Sequence, residues 1–155
     1  MQSSKGTYRG FTIVELLIVM AIMVVLVSIS IAPLSHFRST ALIDQTKSDI
    51  ISALTEARNL TLSSRDNTIY GVHFETSKVV MFKGSTYFAL TPGNKVYELG
   101  DRVSITGINL SSGGAELTFR RLTGEASKTG TIVYRVNSDS GIIATTTILS
   151  SGIIE

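Results

Sequence analysis

The sequence predicts an α+β protein in which a long N-terminal helix packs on an antiparallel β-sheet head. Residues 16–27 are all apolar, residues 43–57 carry apolar residues at helical spacing, and the chain from residue 68 onward alternates with a period of two. The 155 residues are enough for one ordinary domain. Charged residues make up 17% of the chain, whereas soluble domains usually carry about 25%. Part of this chain is therefore expected to avoid water.

The first part of the helix is predicted to lie in a membrane. No Asp, Glu, Lys or Arg occurs from Leu16 through Phe37, a stretch of 22 residues, and about 20 residues of helix span a bilayer core. We therefore assign residues 11–36 as a transmembrane helix. The ten residues before it hold two basic residues and no acid. By the positive-inside rule, the N-terminus stays in the cytoplasm and the rest of the chain is exported.

An acid stands near the start of this apolar run. A carboxylate is costly in hydrocarbon, so Glu15 needs a cationic partner. Cleavage between Gly10 and Phe11 supplies one, because the new α-amino group lies four residues before Glu15 and can pair with it within one chain or between neighbouring chains. The alternative is a secretory signal peptide cut near Ser28-Ile29-Ser30, although the apolar core of such a signal normally lacks an acid.

The segment Gly10-Phe11-Thr12-Ile13-Val14-Glu15-Leu16-Leu17 resembles the class III signal of type IV pilins and pseudopilins. The resemblance implies a leader peptide of residues 1–10, cleavage after Gly10 by a prepilin peptidase, N-methylation of Phe11, and a role for Glu15 in recruiting the subunit into a filament. Pro33 is expected to kink the helix, as prolines near this position do in the family.

The same resemblance implies where the protein acts and with what. Its expected partners are the prepilin peptidase, other pilin or pseudopilin subunits and an inner-membrane assembly platform. Its expected location is the bacterial inner membrane, as a single-pass protein with an extracytoplasmic head, and then a pilus or pseudopilus.

Residues 37–155 are predicted to form the head. Ile43, Ile50, Leu54 and Ala57 recur at helical spacing among charged residues, which predicts an amphipathic helix to about residue 64 with its apolar side packed on a sheet. Short connections favour antiparallel pairing of the segments that follow. The predicted strands are residues 68–74, 78–83, 86–90, 95–99, 102–106, 115–120, 131–136 and 142–149.

Parts of the head also resemble the H-type minor pseudopilins of type II secretion and the related FimT-type minor pilins. The resemblance is carried by the Ala-Arg-Asn turn of the helix and by two short segments, Leu117-Thr118-Phe119 and Leu122-Thr123-Gly124. These segments precede the two closing strands. It implies a minor structural subunit of a type II secretion pseudopilus or a type IV pilus.

The sequence holds no constellation for catalysis, a cofactor or a metal. It has no Cys and two His residues. His36 is expected at the membrane interface, and His73 on the less apolar face of a strand beside Glu75, which is the usual setting of a surface histidine. No phosphate-binding loop, dinucleotide fingerprint or nucleophile motif occurs. We therefore expect a protein that is not an enzyme.

Nucleic-acid binding is an alternative that the charges disfavour. Arg120 and Arg121 form a basic doublet, but on a strand the two would face opposite ways. Residues 141–147 contain no Lys or Arg. Without Lys5 and Arg9 of the leader, the 14 basic residues fall to 12, equal to the 12 acidic ones. A DNA-binding minor pilin of an uptake system and a signal-anchored exported binding protein or enzyme are the alternatives to the structural subunit.

Overall fold

The computed structural model describes residues 10–155, apart from the side chains of residues 29–36. It divides into two compact units, Met1–Phe37 and Arg38–Glu155. One helix, α1 (Ile13–Leu62), contributes residues to both units. A short 3-10 turn follows at Arg65–Asn67. Seven strands come after it in the described part of the chain: β1 (Tyr70–Phe74), β2 (Lys78–Lys83), β3 (Lys95–Glu98), β4 (Val103–Leu110), β5 (Glu116–Thr118), β6 (Gly130–Val136) and β7 (Asp139–Ile148).

The described part of the first unit is the start of α1. Within the residues whose side chains are described, none of the helices has the length and apolar character of a membrane span. Residues 1–9 of the predicted leader lie outside the described part of the chain. The side chains of Pro33 and His36 are also outside them, so the predicted kink and interfacial histidine stay predictions.

In the second unit, α1 buries the apolar stripe that the sequence predicts. Ile43, Ile50, Leu54 and Ala57 are buried, which confirms the predicted packing of this side of the helix. The helix ends at Leu62, two residues before the predicted end. The buried hydroxyl of Thr61 accepts a hydrogen bond from the Tyr70 backbone N–H at 2.9 Å and donates one to the Ala57 carbonyl at 2.8 Å. This side chain therefore ties the end of the helix to the start of β1.

The strands form two antiparallel sheets, which confirms the predicted α+β architecture. The prediction was of one sheet, whereas the structure has two. The first sheet has the order β3-β2-β1-β5, and the second has the order β4-β6-β7. Their inward residues and those of the helix form one core. The largest fully buried side chains of this core include Tyr134, Phe74, Phe119, Ile50 and Leu54.

One predicted strand is wrong. Residues 86–90 form a loop between β2 and β3. The Tyr87 ring stacks on His73 with 4.0 Å between ring centroids, and its backbone N–H donates to Glu116 at 3.2 Å. A turn then follows, closed by the Thr91 N–H and the Phe88 carbonyl at 3.2 Å. Side-chain contacts hold this segment without the backbone ladder that a strand requires.

The role of Thr61 can be tested by replacing it with valine. Thr61→Val keeps the shape of the side chain but leaves the buried Tyr70 N–H without an acceptor, which costs about 1–3 kcal/mol. We expect the thermal unfolding midpoint of the full chain in detergent to fall by several degrees. Thr55→Val, at an exposed position of the same helix, is the matched control and should leave the midpoint within about one degree. Equal midpoints for the two variants would contradict the role of Thr61.

Candidate functional site

The start of α1 is fixed by a local side-chain cap. The Thr12 hydroxyl accepts a hydrogen bond from the Glu15 backbone N–H at 3.2 Å, and the Leu16 N–H reaches the Thr12 carbonyl at 3.2 Å. Thr12 is thus the residue that caps the helix, and Glu15 is the acid of its first turn. A carboxylate there is favoured by the positive end of the helix dipole.

The bond between Gly10 and Phe11 lies outside the helix. Both residues lack regular structure, both are exposed, and the Phe11 side chain is 83% exposed. Exposed bonds outside regular structure are the ones that proteases reach most readily. Pairing within one chain assumes that Phe11 lies one helical turn before Glu15. In the uncleaved chain Phe11 precedes the helix, so it does not lie in that position.

Ser28, part of the alternative cut site, lies inside the helix. Its hydroxyl donates to the Val24 carbonyl four residues earlier, at 2.8 Å. Residues 28–30 have a helical backbone, whereas Gly10 and Phe11 do not.

The helix that follows the cap exposes an apolar surface. Every large apolar side chain from Ile13 to Val27 is at least 50% exposed. Soluble monomers rarely expose a continuous apolar patch of such size, and patches of this kind mark contacts with lipid or with other proteins. The N-terminal segment thus combines an exposed bond, a capped helix start with an acid, and an exposed apolar helix surface.

In the head, His73 lies beside a different acid from the predicted Glu75. Its Nδ1 is 3.7 Å from the Glu116 carboxylate, because His73 on β1 and Glu116 on β5 are directly opposite in the sheet. Glu75 instead accepts a hydrogen bond from the Tyr87 hydroxyl at 3.1 Å and pairs with Lys78 at 3.4 Å. These contacts fasten the loop between β2 and β3 to the sheet.

A second polar cluster ties β3 to the helix. Glu56 on α1 accepts hydrogen bonds from the Lys95 ammonium, at 2.6 Å, and from the Tyr97 hydroxyl. The hydrogen bond from Lys95, and after it the one from Tyr97, holds the pKa of the Glu56 carboxyl below its usual range. An open groove of about 460 Å³ runs along the same side of the helix, lined by Ile51, Ser52, Thr55, Glu56, Asn59 and Leu60.

The basic doublet does not lie on a strand, so the argument that its two arginines face opposite ways is wrong. Strand β5 ends at Thr118, and Arg120 and Arg121 follow it into a turn. Arg120 pairs with Glu125 at 3.3 Å, and Arg121 donates to the Asn67 side chain at 2.8 Å. Both side chains remain exposed.

The sequence reasoning missed Thr12. Thr12-Ile13-Val14-Glu15 has the Thr-x-x-Glu spacing of a helix capping box, so the signal was present in the sequence. For metals, the part of the chain that the structure describes holds no cluster of three or more His, Cys, Asp or Glu side chains that could bind an ion.

Comparison with known families matches residues 6–31 to the prokaryotic N-terminal methylation motif. The matched range contains Gly10, Phe11, Thr12 and Glu15, the residues that form the exposed bond and the capped helix start. Neither the curated proteins nor the solved structures contain a match to the chain.

Proposed function

We propose that this chain, whose methylation motif is that of a type IV pilin-like structural subunit, is made as a prepilin, cleaved after Gly10 by a prepilin peptidase and N-methylated on Phe11. The mature chain is then stored in the inner membrane and assembled into a filament. Its function is structural and not catalytic, and it needs no cofactor.

The observation that carries this proposal is the junction at residues 10–15. An exposed bond between Gly10 and Phe11 is followed at once by a capped helix whose apolar side chains are exposed. Cleavage at this bond leaves the apolar helix at the very N-terminus. The helix can then exchange its contacts with lipid for contacts with neighbouring helices, and no leader residues obstruct its N-terminal end.

Glu15 is proposed to recruit the subunit through its charge. The helix surface around it is apolar, with Ile13, Val14 and Leu16 all more than half exposed. In a stack of such helices the carboxylate needs a cation, and the Phe11 amine of the mature chain supplies one, since methylation leaves it charged. Because Phe11 precedes the helix, pairing with the Phe11 amine of a neighbouring subunit is the arrangement we favour.

The proposed location follows from the same segment. Residues 11–36 are proposed as a single span of the inner membrane with the N-terminus in the cytoplasm, as the basic leader and the uncharged run favour. Residues 38–155 form a unit with its own core, which is proposed to be the extracytoplasmic head that contacts the assembly platform and other subunits.

Within the pilin class, we propose a minor subunit of a type II secretion pseudopilus or a type IV pilus, of the H-type or FimT-type. The sequence segments that resemble these proteins support this assignment. The Ala57-Arg58-Asn59 turn lies near the end of α1, and Arg58 donates to the Gly124 carbonyl at 3.1 Å, which joins two of those segments.

The role of Glu15 is tested by Glu15→Ala in the native host. We expect normal cleavage after Gly10, because the bond itself is unchanged, and a loss of filament incorporation of about tenfold or more, the effect of removing about 1.4 kcal/mol of pairing per subunit. Incorporation is measured by the amount of the chain in sheared or purified filaments relative to the amount in membranes.

Two variants serve as controls. Asp44→Ala removes an exposed carboxylate from a later part of the same helix and should assemble normally. Glu15→Asp keeps the charge and should retain part of the incorporation. Normal incorporation of Glu15→Ala would refute the recruiting role.

A DNA-binding minor pilin is the second candidate, and the turn that holds Arg120 and Arg121 favours it. Arg121 donates to the side chain of Asn67, which lies two residues after the exposed Arg65, while Arg120 pairs with Glu125. Exposed arginines bind the phosphate backbone without sequence preference. The neutral closing stretch at residues 141–147 argues against it.

Retention of duplex DNA decides this alternative. If the arginine turn binds DNA, the full chain in detergent retains a labelled duplex at low salt, and Arg120→Ala combined with Arg121→Ala lowers retention by about tenfold. Lys128→Ala, a cation that donates to the Gly113 carbonyl instead, is the control. A wild-type chain that retains no duplex at low salt excludes DNA binding.

A further inference from the structure

The first sheet carries a small cluster of rings on the face opposite the main core. Neighbouring residues of a strand face opposite sides, and Val72 belongs to the main core, so Gly71 and His73 face away from it. The Phe82 ring lies over Gly71, where a side-chain Cβ would come within 2.5 Å of it. Tyr87, from the loop between β2 and β3, packs on Phe82 with 5.7 Å between ring centroids and stacks on His73 at 4.0 Å. The loop therefore covers this face of the sheet.

Two acids hold Tyr87 in this position. Its backbone N–H donates to Glu116 of β5 at 3.2 Å, and its hydroxyl donates to Glu75 at 3.1 Å. Burial, and after it the hydrogen bond to Glu75, raises the pKa of the Tyr87 hydroxyl. The hydroxyl therefore keeps its proton, and remains a donor, at neutral pH and below.

The imidazole of His73 is not satisfied by these contacts. Its Nδ1 is buried, and no protein group in the described part of the chain forms a hydrogen bond with it. The Glu116 carboxylate lies 3.7 Å from this nitrogen, which is too far for a hydrogen bond. The oxygen concerned is Oε2, which also accepts from the Tyr87 N–H. A neutral imidazole gains little from this carboxylate, whereas a charged one is attracted to it.

The charged groups that face His73 favour the protonated ring. Glu116 faces it from β5, and Glu75 lies two residues further along the chain. Lys78, at the start of β2, has the same sign of charge as a protonated imidazole, but it pairs with Glu75 at 3.4 Å. The residue directly opposite His73 on β2 is apolar. Of the side-chain types in this cluster, histidine is the one that ordinarily changes charge between about pH 5 and 8.

We propose that His73 is a pH-sensitive switch that controls how firmly the loop between β2 and β3 is held on the sheet. An imidazole that takes up a proton from water has a proton on both ring nitrogens. The Nδ1–H is then a charged donor beside Glu116, and it holds this acid in place for the Tyr87 N–H. As the pH rises and the proton is lost, this attraction disappears and the loop is held less firmly.

The switch controls the presentation of an apolar loop. No charged residue occurs from Gly84 to Asn94, and within this range Phe88 is 67% and Leu90 is 96% exposed. This inference goes beyond the proposed function and does not require it. In the proposed extracytoplasmic location, the head would experience the pH of its surroundings.

Hydrogen exchange of the Tyr87 amide tests the switch. The full chain in detergent is compared at about pH 5.5 and about pH 7.5, on either side of the range in which histidines ordinarily titrate. Each rate is divided by that of an unprotected amide at the same pH. The Ser111 amide, bonded to the Thr129 carbonyl at 2.8 Å, is the internal reference. We expect the Tyr87 amide, relative to this reference, to be about two to five times more protected at the lower pH, as for a partly exposed ion pair.

Three variants show whether the effect comes from the His73 charge. His73→Phe keeps a ring under Tyr87 but cannot take up a proton, so the pH dependence should disappear. Glu116→Gln keeps an acceptor for the Tyr87 N–H without its charge, and should reduce the dependence to less than half. Glu125→Gln removes an acid that pairs with Arg120 instead, and should keep the full dependence. If the thermal midpoint shows that His73→Phe does not fold, Glu116→Gln decides.

Several outcomes would overturn the switch. These are equal relative protection of the Tyr87 amide at the two pH values, greater protection at the higher pH, or a pH dependence that persists unchanged in His73→Phe or in Glu116→Gln. None of these outcomes bears on the proposed function. That function fails instead if the chain is not cleaved after Gly10 or never enters filaments.

Discussion

Large apolar side chains need cover from water, and those at the start of α1 are exposed in the described structure. Every large apolar side chain from Ile13 to Val27 is at least half exposed. Full burial of one such side chain contributes about 1.5–3 kcal/mol, and a whole domain has a stability of only about 5–15 kcal/mol. We propose that lipid or neighbouring helices cover this surface. The proposed cleavage after Gly10 and the proposed role of Glu15 both depend on that placement of the helix.

The head covers its apolar side chains with its own residues. In the unit Arg38–Glu155, α1 turns Ile43, Ile50, Leu54 and Ala57 inward, and the two sheets cover them. Thr61 joins the end of the helix to β1, and Glu56 joins the helix to β3 through Lys95 and Tyr97. This unit therefore contains its own core.

Local patterns predicted most of the fold. The helical spacing from Ile43 to Ala57 and the apolar β-forming run between Lys78 and Lys83 predicted elements that the structure contains. What failed depended on distant contacts. Residues 86–90 alternate like a strand but find side-chain partners instead of a ladder. The contact of His73 with Glu116 requires the pairing of β1 with β5, which no local pattern reveals. The helix cap at Thr12 was readable from its spacing with Glu15 and was overlooked.

The central claim is that the apolar helix becomes the N-terminus of a mature subunit. Intact-mass and N-terminal peptide mass spectrometry of the protein purified from its native membrane tests this claim most directly. We predict a chain that begins at Phe11 and carries one added methyl group on its α-amine. A mature chain that begins near residue 31 would contradict it, because the apolar helix would have been removed as a secretory signal. A chain that retains residues 1–10 would contradict it as well.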